Sequence, residues 1–129
     1  MKLCLDTNAY CRFLAGNETL RNLLENAEEV IVPAAVVAEF YDGFANGSKF
    51  QRNVMLFESF LARPCVRVQP ADKQIAIRWG LIAASLLRKG RPIPVNDLWI
   101  AATAFETASV LLSYDRHFDA IEGLLRLAP

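Results

Sequence analysis

Charge of one sign is what this chain lacks first. Its 129 residues carry 14 Lys and Arg against 14 Asp and Glu, a formal net charge of zero. A neutral chain has no broad positive field for gripping a nucleic-acid backbone, so any such contact must use a local patch or a metal. Cysteine is scarce. Cys4, Cys11 and Cys65 are odd in number and have no paired spacing, which excludes a disulfide framework. Only His117 could join them, so no zinc-site pattern exists either. That usage suits a reducing, cytoplasmic setting. Long hydrophobic runs are missing too. The longest, Val30–Ala38, has nine residues and contains Pro33, too few to cross a membrane. Asp6 interrupts the opening apolar residues, so no signal-peptide core is expected. There are no repeats, low-complexity tracts or Ser/Gly-rich linkers.

What is there is apolar and periodic. Hydrophobic residues make up 53% and aromatics 10%, which excludes a disordered tail. The length fits one domain, residues 1–129. Short apolar stretches at Lys2–Leu5, Glu29–Val32, Cys65–Val68, Ser109–Ser113 and near Leu124–Leu127 predict strands. Between them lie helical patterns. Thr7–Leu14 has Tyr10, Phe13 and Leu14 on one side. Asn17 is a cap for a helix carrying Leu20, Leu23 and Leu24. Pro33 is expected to open a helix with Val36, Val37, Phe40 and Phe44 inward. Ser48–Ala62 repeats Phe50, Val54, Phe57 and Leu61, and Pro64 stops it. Ala71–Lys89 repeats Ile75, Trp79, Ile82 and Leu86 and ends before Gly90. Asn96–Thr107 turns Leu98, Ala101, Ala102 and Phe105 inward, and a short helix is expected around His117–Ile121. Apolar strands alternating with helices predict an α/β fold, a parallel sheet covered on both faces.

Four acids fall at one edge of that sheet. Asp6 follows the first strand directly. Asp115 stands just past Val110–Leu112, and parallel strands end on the same rim. Glu39 lies on the second turn of the helix leaving the second strand, roughly 9 Å of rise from Pro33. Asp97 opens the helix that feeds the fourth strand. For it to reach the rim, Gly90–Asn96 must climb back along a helix of ~27 Å that descends from the rim. Seven extended residues span at most about 25 Å, which permits the return. Singly, each acid has an ordinary reading. Asp6 is a helix N-cap, Asp97 a favourable first-turn acid or a neighbour of an Asn96 cap, Glu39 a solvated position and Asp115 a turn residue. Together they repel one another, and hard divalent cations with oxygen ligands, Mg²⁺ or Mn²⁺, would neutralise them. The chemistry that fits is phosphodiester hydrolysis by a metal-activated water.

The ordered set Asp6-Thr7-Asn8, Val36-Val37-Ala38-Glu39, Asn96-Asp97-Leu98-Trp99-Ile100-Ala101-Ala102 and Ser113-Tyr114-Asp115-Arg116-His117-Phe118 resembles the PIN domain. The likeness covers the whole chain and extends to the VapC-type toxins of bacterial toxin–antitoxin pairs. It implies a three-layer α/β/α sandwich around a mainly parallel sheet of four to five short strands. It implies an endoribonuclease whose Mg²⁺ or Mn²⁺ is held by Asp6, Glu39, Asp97 and Asp115, acting on RNA as a homodimer and blocked by a cognate antitoxin. Thr7 and Ser113 would orient the carboxylates. Ser113 stands where the family usually has Thr, and the hydroxyl is kept. Asn8 is read as fixing the turn.

Arg88, Lys89 and Arg91 form the only basic cluster. They could hold RNA phosphates or simply complement a helix C-terminus, and Arg12 is an equal candidate. His117 is left out of the catalytic set as a residue packing a short helix. Asp42, Asp72 and Asp119 are read as a surface acid, a helix start and a surface acid. The tryptophans and cysteines are read as buried packing residues. A haloacid-dehalogenase-type phosphatase would need an Asp where Asn8 stands, and is rejected. An RNA-maturation or decay nuclease without an antitoxin is the alternative, and a non-catalytic binding module ranks below it.

Overall fold

Five short strands carry the fold in a computed structural model that describes residues 1–129. They are β1 (Lys2–Leu5), β2 (Glu29–Pro33), β3 (Val66–Gln69), β4 (Val110–Leu112) and β5 (Arg126–Leu127). Their order is β3-β2-β1-β4-β5 and every neighbouring pair is parallel. Successive residues Leu3–Leu5 and Val30–Pro33 are all buried. Side chains alternate faces along a strand, so both faces of the sheet centre are covered. The α/β parallel architecture expected from the sequence is the one found. β3 is the exception to the apolar rule: Arg67 and Val68 face solvent on this edge strand, and Arg67 pairs with Glu29 of β2.

Six helices complete the chain: α1 (Thr7–Leu14), α2 (Glu18–Glu25), α3 (Ala34–Ala45), α4 (Phe50–Leu61), α5 (Lys73–Arg88) and α6 (Val95–Glu106), with a short 3₁₀ helix at Arg116–Ala120. No helix is long and apolar enough to cross a membrane. α6 buries Leu98 and Ile100 through Ala104, nearly all round its axis, and its alanines let it lie close on β1, β2 and β4. α1, α3 and α4 meet in an aromatic cluster. The Tyr10 ring centroid lies 4.8 Å from Phe40, 5.2 Å from Phe57 and 5.1 Å from Phe60. Asn17 caps α2 by accepting the Leu20 N–H, and Asp72 caps α5 by accepting that of Ile75.

Several boundaries and faces differ from expectation. Pro33 does not open α3. It is the last residue of β2, paired in register with Gln69, and its extended ψ of 145° makes Ala34 the first helical residue. α4 starts at Phe50, not Ser48, and Phe50 is 44% exposed, outside the core that takes Phe57 and Phe60. Of the cysteines only Cys4 is buried, and Cys11 is exposed.

α5 runs opposite to its expected direction. Its first half meets the far end of α6, where Arg78 pairs with Glu106. Its end arrives at the rim, where Lys89 Nζ donates to Ala120 O and Gly90–Ile93 border His117. The 89–94 connection therefore has almost no height to regain. A helix crossing from the β3 edge packs antiparallel on α6, which buries Ile75, Ile82 and Leu86.

Candidate active site

Asp6 is the residue with which the chain leaves β1. Its N–H donates to Leu112 O, which pins it at the seam between β1 and β4. The strand order makes this seam a switch point: the connection from β1 runs toward β2, whereas the connection from β3 returns to β4 on the other side. In open parallel sheets a crevice forms there, at the carboxyl ends of the strands.

Asp6 is 3% exposed. One carboxylate oxygen accepts the Thr7 N–H at 2.7 Å and the other accepts the Ser113 hydroxyl at 2.6 Å. The same Ser113 Oγ accepts the N–H of Asp115 at 3.1 Å, so one hydroxyl ties the first acid to the backbone of the last. Thr7 Oγ1 donates to Glu39 Oε2 at 3.0 Å, linking α1 to α3. Each of the two hydroxyls thus donates to one acid, Ser113 to Asp6 and Thr7 to Glu39. Asp6 is also the N-cap of α1, so the ordinary reading and the functional one describe the same side chain.

Asp97 stands in the first turn of α6, whose N-cap is Pro94; Asn96 does not cap it. Its Oδ2 lies 2.8 Å from His117 Nε2. That nitrogen is buried and has no aligned hydrogen bond, so the approach is a close polar contact off the N–H direction. Asp97, Asp115 and His117 each offer a ligand atom, all within 4.8 Å of one another.

The electrostatics join the four acids. Burial pushes the Asp97 carboxyl up to about 6; His117 pulls it back, and the charges of Asp6, Glu39 and Asp115 raise it further. Asp6 is also pushed up by burial, held down by the Ser113 and Thr7 donors, and raised again by Asp115. Acids drawn from β1, α3, α6 and the β4 exit therefore share one field.

His117 packs and also faces the acids. Its ring lies against Phe118, as a packing residue would, yet its Nε2 faces the acid cluster. The signal was its place two residues past Asp115. Arg126 had no such signal. Its guanidinium clamps Asp119 at 2.8 and 2.9 Å and donates to Ser113 O at 2.9 Å, bracing the residue that orients Asp6. Asn8 does not fix the turn: it is an exposed residue inside α1 with no side-chain hydrogen bond. Asp42 is exposed and bonded by Asn46. Among the basic candidates, the Arg12 guanidinium stacks 3.9 Å over the Tyr114 ring, Lys89 is held by Ala120 O, Arg88 is exposed without an ion pair, and Arg91 borders His117.

The PIN domain model matches residues 3–124. Ribonuclease VapC2 of Haemophilus influenzae is 31% identical over 127 residues, covering 96% of this chain and 95% of that protein. The tRNA(fMet)-specific endonuclease VapC of Salmonella typhimurium is 31% identical over 128 residues, with the same coverage of 96% and 95%. Among solved structures, DNA-bound VapBC from Salmonella typhimurium matches with a TM-score of 0.85 at 28% identity, over 98% of this chain and 97% of that one. The chain belongs to the PIN domain family, and the relatives it resembles there are VapC ribonucleases.

Proposed function

We propose that this chain is a divalent-metal-dependent endoribonuclease, the toxin of a toxin–antitoxin pair. The observation that carries the reading is the gathering of Asp6, Glu39, Asp97 and Asp115 at the β1/β4 switch point, with Thr7 and Ser113 holding two of them in place. The donor set fits a hard cation: carboxylate oxygens dominate, Asp97 and Asp115 approach closely, and burial, with the neighbouring carboxylate charges, raises the proton affinity of Asp97. Asp6, Glu39, Asp97 and Asp115 would hold Mg²⁺ or Mn²⁺, and His117 would bound the site beside Asp97. Such an ion lowers the pKa of a water and screens charge gathering on the phosphate. The chain's own work is to keep the carboxylates ionised and aimed. Ser113 and Thr7 do so by donating hydrogen bonds to the charged forms, which favours those forms.

The partners follow the same reading. Related solved structures are VapBC complexes, and an acidic rim suits an inhibitor that offers arginine. A homodimer is supported by Ile77 and Leu81, a turn apart on α5 and 47% and 58% exposed. The alternative is a nuclease of RNA maturation or decay with no antitoxin; co-expression with the neighbouring reading frame and co-purification of a complex separates the two. The deciding experiment incubates purified chain with single-stranded RNA and with initiator tRNA, the substrate named for the Salmonella relative. Cleavage is expected with Mg²⁺ or Mn²⁺, none in EDTA, and none from Asp97→Asn. Cleavage by pure protein in EDTA refutes the metal reading.

A further inference from the structure

The four basic candidates differ in their surroundings, and Arg116, exposed between Asp115 and His117, is a further cation at the rim that lies outside the cleft lined by Arg91. Lys89 is tied by its ammonium to Ala120 O, and the Arg12 guanidinium lies flat on Tyr114. Arg88 is exposed at the end of α5 and does not line the cleft that Arg91 enters. Arg91 makes no salt bridge and no side-chain hydrogen bond, and it lines a cleft of about 280 Å³ together with Gly90, Pro92, Ile93, His117 and Ala120. His117 is the shared wall: one edge of its ring belongs to this cleft, and its Nε2 lies 2.8 Å from Asp97 Oδ2. The cleft is thus contiguous with the acid cluster. It exists because α5 ends at the rim, with Gly90 in the left-handed region at φ 68° turning the chain so that Arg91–Ile93 face the 3₁₀ helix.

We infer that the cleft between Arg91 and His117 seats the nucleotide of single-stranded RNA next to the scissile phosphate, with Arg91 binding its phosphate. The inference rests on the ribonuclease reading above and adds the direction in which the strand leaves the acids. A guanidinium suits this task, since its planar fork meets phosphate oxygens with two parallel bonds. Pro92, Ile93 and the imidazole supply flat or apolar walls on which a base of any sequence can lie. In a chain of zero net charge, an arginine without an ion pair, set across His117 from Asp97, is a point at which the polyanion can be held while its neighbouring phosphate sits at the cluster.

The test compares wild type, Arg91→Ala, Arg91→Lys and Arg88→Ala, all checked for unchanged melting temperature. With an oligoribonucleotide and saturating Mn²⁺, Arg91→Ala is expected to raise KM about five- to tenfold with kcat within twofold, as for one lost ionic contact. Arg91→Lys recovers part of the loss. Anisotropy of a fluorescent single-stranded RNA in EDTA, where nothing is cleaved, should show weaker binding by Arg91→Ala and a salt slope shallower by about 0.7. Arg88→Ala should match wild type in both assays. An unchanged KM and salt slope in Arg91→Ala, from protein whose wild type cleaves RNA, overturns the assignment. So does an equal loss in Arg88→Ala, which would mean a diffuse field and no seat. Failure of the underlying reading looks different: wild type itself would not cleave.

Discussion

Replacing Asp97 by asparagine should make the metal-free protein more stable while abolishing cleavage. The folded carboxyl is raised from 3.8 to about 6, chiefly by burial. A shift of roughly two units corresponds to ~3 kcal/mol as a ceiling. The side chain is 16% exposed and borders an open rim, so screening reduces this to about 1–2 kcal/mol. The sign follows from proton counting. Between pH ~4 and ~6 the folded chain holds a proton the unfolded chain has lost, so stability falls as pH rises through that window and is level above it. Asparagine keeps an oxygen facing His117 and removes the charge. In EDTA at pH 8 the variant should melt on the order of 3–8 °C above wild type, and at pH 4 the difference should nearly vanish. Mn²⁺ at a hundredfold excess over its dissociation constant adds about 2.7 kcal/mol to a protein that binds it, and most of that shift should be lost in the variant. The assay is thermal unfolding by circular dichroism at both pH values, with and without Mn²⁺. A variant less stable than wild type at pH 8 in EDTA, yet showing the full Mn²⁺ shift, would mean that Asp97 serves the helix start and not a metal.

Asp6→Asn should leave RNA cleavage below detection and relieve growth arrest when the chain is overexpressed, measured by gel assay and plating. His117→Ala should weaken Mn²⁺ dependence or rate by about 10- to 100-fold without abolishing activity, since it bounds the site beside Asp97; loss as complete as that of Asp97→Asn would make the imidazole indispensable. Ser113→Ala removes a buried donor to a carboxylate and should cost about 1.5–3 kcal/mol in urea unfolding, with Ser113→Thr close to wild type. Tyr10→Phe should stabilise by about 1 kcal/mol, because the Tyr10 hydroxyl is buried among aromatic rings without a partner.

The sequence by itself determined the alternation of strands and helices, the parallel sheet, and a common rim for Asp6, Glu39 and Asp115, and it permitted Asp97 there without forcing it. Each of these follows from local pattern and chain connectivity: apolar strands of one direction end on one edge, and the acids stand at known distances from those ends. It also contained the hydroxyls, since Thr7 and Ser113 adjoin the acids at the exits of β1 and β4. Tertiary structure alone decided the direction of α5. Its amphipathic spacing is the same whether it climbs or descends, and only packing on α6 and the Lys89 bond to Ala120 select one course. That choice brings Arg91 beside His117, and so distinguishes one arginine from four basic candidates of equal standing in the sequence. The approach of His117 to Asp97, twenty residues apart, and the grip of Arg126 on Ser113 are likewise products of chain crossing. Periodicity reports which face of an element is buried; which side chains from distant elements meet on that face is settled only when the layers close.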